Sequence, residues 1–195
     1  MTHSTITQKA DQHRVIEREP PLQDVISALG LGARVGSAAF ALGMAPAPLG
    51  EEVTGGWFRR AGPGPVSLTP VAAFTSRTSH AFGFSRGPLV RPCGTLDWDQ
   101  NQTLDPTFDG GQQTVSFDPG PEPFALWVER AGIRYHSADA LNASSAHHAR
   151  IYPVRDAAGA AVPDRWLVAL EESDDGDYQD LLLLVSNAAI SGPPQ

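Results

Sequence analysis

The sequence holds a single cysteine, Cys93, and a single lysine, Lys9. One thiol excludes an internal disulfide framework and any cysteine-based zinc cluster. With lysine nearly absent, thirteen arginines carry the positive charge, so an anion-binding surface here would present guanidinium forks. No apolar run approaches the roughly 20 residues that a membrane-spanning helix needs. The opening stretch MTHSTITQKADQHRVIEREPP is polar and has no apolar signal core. These absences give the expectation of a cytoplasmic protein without a membrane span, or of a cell-surface or secreted one if a leader has been removed. Neither an internal repeat nor a βαβ alternation is visible.

Glycine and proline, by contrast, are abundant: 19 and 17 of 195 residues, spread along the whole chain. That frequency favours short strands joined by turns over a helical bundle. Hydrophobic residues make up 41% and charged ones 18%, which places the chain among globular rather than disordered sequences. Charge is distributed unevenly. Residues 1–91 hold nine basic and six acidic side chains, whereas 92–195 hold five and sixteen.

Residues 1–19 show no apolar period and read as a loose arm. PPLQDVISALGLG places Pro at its start, Leu22, Val25, Ile26 and Leu29 on one face, and Gly at its end, which predicts a short helix over 21–30. Strand-like runs follow, about ten of them, from ARVGSAAFAL through PVSLTPVAAFTS to DRWLVALEE and DLLLLVSNAAI. Pro70 marks an edge or a bulge within its run. RDAAGAAVPD reads as a hairpin connection in which Gly159 supplies the positive φ. The expectation is an all-β protein: an antiparallel β-sandwich of the jelly-roll or malectin-like kind over 33–195, preceded by an arm and one short N-terminal helix in 1–32. Three of the four tryptophans lie in strand-like runs, and all four are expected to be largely buried.

The segment EESDDGDYQD, residues 171–180, sets six carboxylates in ten positions directly before LLLLV. Like charges so close resist burial beside a strand unless something neutralises them. Oxygen ligands in this density suit a hard cation such as Ca2+. Asp177 and Asp180 sit on a turn leading into the strand, with Glu171 at the end of the preceding one. Asp139 and Asn142 of SADALN supply two more oxygens at three-residue spacing to complete a shell. LDWDQNQTLDPTFDGGQQ has acidic spacing but lacks the Gly and Glu of a calcium-binding EF-hand loop. Neither SSAHHAR nor Cys93 brings together a catalytic set, so the chain is read as a non-enzymatic binding module.

SADALN, the stretch HARIYPVRDAAGAAVPDRWLVALEESDDGDYQDLLLLVSNAAI and the earlier SFDPGPEPFALWV together resemble a calcium-motif domain of unknown function from large bacterial surface and secreted proteins. That domain often accompanies malectin-like sugar-binding sandwiches. The resemblance places the family's acidic strand end on Glu171 and its Gly-Asp-Tyr-Gln-Asp box on Gly176 to Asp180. Leu170 replaces its usual aromatic, and Ala138 replaces an acidic residue. It implies a β-sandwich with a cation site, a glycan or protein partner, and no assigned reaction.

A second set of residues points elsewhere. Arg59, Arg60, Arg77, Arg86 and Arg91 fall in a stretch without a single acid, interleaved with Trp57, Phe58, Phe74, Phe82 and Phe84. Guanidinium groups beside rings are what a single-stranded DNA groove uses, charge for phosphates and rings for bases. Size, arginine-rich composition and the missing leader likewise resemble stress-induced DNA-damage-response proteins of radioresistant bacteria, which bind single-stranded DNA.

Overall fold

In a computed structural model, described over residues 6–8, 14–16, 19–36, 43–75 and 78–194, the chain forms two antiparallel sheets with one helix. The strands are β1 (Ile6–Gln8), β2 (Arg14–Ile16), β3 (Trp57–Arg60), β4 (Val66–Ala73), β5 (His80–Arg86), β6 (Leu89–Leu96), β7 (Thr103–Leu104) and β8 (Val115–Phe117). They continue as β9 (Phe124–Arg130), β10 (Ile133–His136), β11 (Ala149–Arg155), β12 (Ala161–Leu170), β13 (Leu181–Ser186) and β14 (Ala188–Ser191). The helix α1 spans Leu22–Ala28 and is followed by Gly30 at φ 68°.

One sheet runs β1-β2-β7-β4-β13-β12-β11, with β8 also on β4; the other runs β14-β3-β9-β5-β6, with β10 also on β9. Alternate residues of both sheets interdigitate between them, among them Phe58, Phe82, Phe84, Phe124, Leu126, Val168, Leu183 and Val185. This is the all-β sandwich that strand spacing and turn chemistry predict. Gly159 takes φ 81° in the expected β11–β12 hairpin.

A third layer explains LLLLV. Leu181, Leu183 and Val185 of β13 face the other sheet, while Leu182 and Leu184 pack with Leu22, Val25 and Ile26 of α1. A strand covered on both faces has no polar side to alternate, so its sequence is continuously apolar. Pro70 opposes Leu183 beside a register shift that leaves Val71 unpaired, so this proline sits at a bulge in an interior strand.

Two expectations are corrected. The N-terminal arm contains β1 and β2, which pair with each other and, through β7, extend the first sheet. Backbone hydrogen bonding at a sheet edge needs little apolar periodicity, so these strands left no pattern to read. Trp98 is 61% exposed, in a short turn between β6 and β7, while Trp57 and Trp127 are buried as expected.

Candidate metal centre

Residues 171–180 connect β12 to β13 at one end of the sandwich, and they fold around a single carboxylate. Glu171 Oε1 accepts the Ser173 amide at 2.8 Å and the Ser173 hydroxyl at 2.6 Å. Its Oε2 accepts the amides of Asp177 at 3.0 Å and Tyr178 at 3.1 Å. The sharp reversal this requires uses Gly176 at φ 71°, where a Cβ would stand 3.0 Å from Gly43 Cα. It also places Tyr178 at φ 58°, uncommon for a residue of its size.

That folding brings the other acids inward. One carboxylate oxygen each from Glu171, Asp175, Asp177 and Asp180 lies within 4.8 Å of the rest. Glu171, Asp177 and Asp180 are buried, and Asp175 is exposed. Two oxygens on opposite sides of a bound Ca2+ stand about 4.6 to 5.2 Å apart, so this spread fits one central ion. Asp180 Oδ2 accepts the Glu172 amide at 2.7 Å, and Asp177 Oδ2 accepts Gln179 Nε2 at 2.8 Å. Gln179 is fully buried and its Oε1 has no hydrogen-bond partner. Ser173 Oγ stands 2.6 Å from Glu171 Oε1 and 2.8 Å from Asp175 Oδ1, and its one proton can serve only one of them.

The electrostatics follow from this crowding. Burial, then the charges of Asp175 and Glu171, push the Asp177 carboxyl up to about 7. Burial and then Glu171 push Asp180 up to about 10. Asp175 is raised as well, chiefly by burial. Burial also works against ionised Glu171, but hydrogen bonds from Asp180, Ser173 and the loop amides outweigh it and hold that group below the ordinary value. Glu171 is thus kept ionised, while Asp180 holds a proton at neutral pH unless a cation takes its place.

Asp139 and Asn142 lie outside this cluster. Both Asp139 oxygens face His147 Nδ1, at 3.0 and 3.1 Å. Asn142 Oδ1 accepts the His136 amide, and its Nδ2 donates to the carbonyls of His136 and Ala146. Their three-residue spacing serves a tight turn after β10, which uses up the oxygens that would have completed a shell. Asp175 is the member that sequence reading passed over, although it stands in the same acidic run.

A second polar cluster was not foreseen. His147 Nε2 lies 3.2 Å from Glu52 Oε1, and Glu52 Oε2 receives the guanidinium of Arg150, only 1% exposed, at 2.5 Å. Arg150 also donates to the carbonyls of Gly43, Ala45 and Ala47, and so fastens residues 43–52 across the edge strand β11. Glu52, Asp139 and His147 form the polar side of a cavity of about 360 Å³, walled elsewhere by Val53, Trp57 and Ile151. Their wide sequence separation hid the grouping.

Among the described residues, the arginines do not assemble as a ring-lined groove. Phe58, Phe74, Phe82 and Phe84 are core residues, and Trp57 is 8% exposed, so these rings offer no face to a base. Arg60 pairs with Asp118 at 3.0 Å, and Arg86 donates to the Pro119 carbonyl with Glu122 at 3.8 Å. Arg59 and Arg91 are exposed, and Arg77 lies outside the described residues. No helix among the described residues is long and apolar enough to cross a membrane. Comparison with protein-family models, curated proteins and solved structures finds no match to this chain.

Proposed function

We propose that this chain is a non-enzymatic, calcium-binding β-sandwich module in which the ion locks the 171–180 connection, acting in ligand binding or assembly. The observation that carries the metal reading is the convergence of four carboxylate oxygens within 4.8 Å, three of their residues buried. Buried acids without compensating cations are costly, and among the described residues no basic side chain forms an ion pair with any of the four, although Arg130 stands 3.7 Å from the adjoining Glu172. An all-oxygen donor set selects a hard cation over zinc or copper. An irregular loop with several carboxylates, a free amide oxygen on Gln179 and nearby carbonyls suits the larger, loosely arranged Ca2+ shell better than the strict octahedron of Mg2+. A role with a glycan or protein partner is supported by the resemblance to bacterial surface-protein modules.

Thermal melts in millimolar calcium and then in chelator test this. An ion binding only the folded state stabilises by RT ln(1 + [L]/Kd), about 2.7 kcal/mol at a hundredfold excess over Kd. The melting temperature rises with calcium, and Asp177→Ala abolishes the rise. An unchanged midpoint together with flat titration calorimetry refutes the assignment.

A further inference from the structure

The cavity beside the edge strand β11 has hydrocarbon on one side and charge on the other. Its volume of about 360 Å³ falls within the range of small-molecule sites. Val53, Trp57, Ala149 and Ile151 supply the apolar wall, and Glu52, Asp139 and His147 the polar one. Ser137 also borders it, with its hydroxyl already committed: it donates to the Gly56 carbonyl at 2.6 Å and accepts the Leu126 amide at 2.9 Å.

The polar wall has more acceptors than protons. The Glu52 side chain is only 3% exposed. Its Oε2 accepts from the Arg150 guanidinium and the Leu49 amide, while its Oε1 faces His147 Nε2 at 3.2 Å. On the other side of the ring, both Asp139 oxygens face the single nitrogen Nδ1. A neutral imidazole carries one N–H, so it serves one carboxylate and turns a lone pair toward the other.

We propose that this cavity binds a small primary alkylammonium ion, its N–H groups donated to Glu52, Asp139 and the His147 ring and its hydrocarbon laid against Val53, Trp57 and Ile151. The site goes beyond the cation-module reading and does not depend on it. An ammonium has three donors and no acceptor, which matches a wall of acceptors. An alcohol offers one donor without charge, and an anion meets two carboxylates. The chain's net charge of −8 draws cations toward the mouth. The ligand competes with the second proton of His147. Burial opposes the charged ring, but hydrogen bonds with Glu52 and Asp139 outweigh it and raise the group above its ordinary value. The other neighbours are the Tyr178 ring, 6.0 Å away and neutral, and Arg150, which reaches His147 through Glu52. Affinity therefore rises as pH passes upward through the folded His147 value, and binding releases a proton.

Titration calorimetry of the full chain with butylammonium chloride, in buffers of different ionisation heat, tests the proposal. The expected result is saturable binding that tightens about tenfold from pH 6 to pH 8, with a proton passed to the buffer. Butan-1-ol keeps the hydrocarbon without the charge, and butyltrimethylammonium keeps the charge without an N–H. Each should bind about tenfold more weakly or less. Asp139→Asn, at a side chain 32% exposed, should keep the fold and weaken butylammonium binding about tenfold. Asp177→Ala should leave it unchanged, which separates this cavity from the 171–180 connection. Absence of saturable heat, equal binding of butan-1-ol, full affinity in Asp139→Asn, or loss in Asp177→Ala overturns the proposal.

Discussion

Removing divalent cations should make this protein less stable as pH rises from the acid side, the reverse of ordinary acid denaturation. Asp177 carries the argument. Its carboxyl titrates near 3.8 when unfolded and at about 7 in the folded loop, because burial and the charges of Asp175 and Glu171 oppose ionisation. Between those values the folded state binds more protons than the unfolded one, so stability falls with rising pH across that window. A displacement of about three units corresponds to about 4 kcal/mol at full effect. Solvent screening at a loop on the molecular surface reduces this to about 2 kcal/mol. The perturbation is Asp177→Asn, which fixes the protonated shape, and the assay is urea unfolding in chelator at steps from pH 4.5 to 7.5. The two proteins should match at the acid end. At pH 7.5 the variant should be more stable by about 2 kcal/mol, a midpoint shift on the order of 1 M urea. Asp180 falls in stability contribution over the same range in both proteins, since its folded value of about 10 is also raised, so the difference isolates Asp177. Calcium should then reverse the order, stabilising the wild type and leaving the variant unmoved. Parallel curves through this range would refute the account of a proton-or-cation site.

Three further outcomes follow from the packing. Gly56→Ala should be severely destabilising, about 3 kcal/mol or more by calorimetry, because φ is 70° and the new Cβ would stand 1.9 Å from the rigid Ser137 carbonyl oxygen. Arg150→Met should cost about 3 to 5 kcal/mol in chemical denaturation, since it leaves Glu52 buried beside one fewer cation and releases the carbonyls of residues 43–47. Burial lowers the pKa of His147, but Glu52 and Asp139 outweigh it and hold the group above the ordinary value. Its stabilising contribution is therefore complete below about pH 6.5 and is lost as pH rises through the folded value. Asp139→Asn should flatten that alkaline decline in a melting series.

What could be read in advance was whatever local chemistry dictates. Alternation and turn residues disclosed the strands, Pro21 and Gly30 bounded the helix, and the bulge was marked by Pro70. The acidic run disclosed Glu171, Asp177 and Asp180 because they lie on one connection. Asp139 and Asn142 misled because short polar spacings also build turns, and here the backbone of His136 and Ala146 had the nearer claim on Asn142. Glu52, His147 and Arg150 stayed hidden because their meeting depends on residues 43–52 lying over β11, a long-range event with no local signature. The arginine–aromatic alternation was real, but its rings faced the core.

The placement of β13 also bears on how the chain reaches its fold. Leu181 pairs with Ala73 of β4, more than a hundred residues earlier, so β4 emerges from a ribosome about 5 to 20 s before its neighbour exists. When β13 does emerge, it is a bare Leu-Leu-Leu-Leu-Val segment whose two covers, the opposite sheet and α1, must close together. Such segments seed aggregates unless charged neighbours keep copies apart. The six carboxylates immediately ahead of it do this in the nascent chain, where all are solvated and ionised, so the residues that crowd the folded loop shield its unfolded precursor.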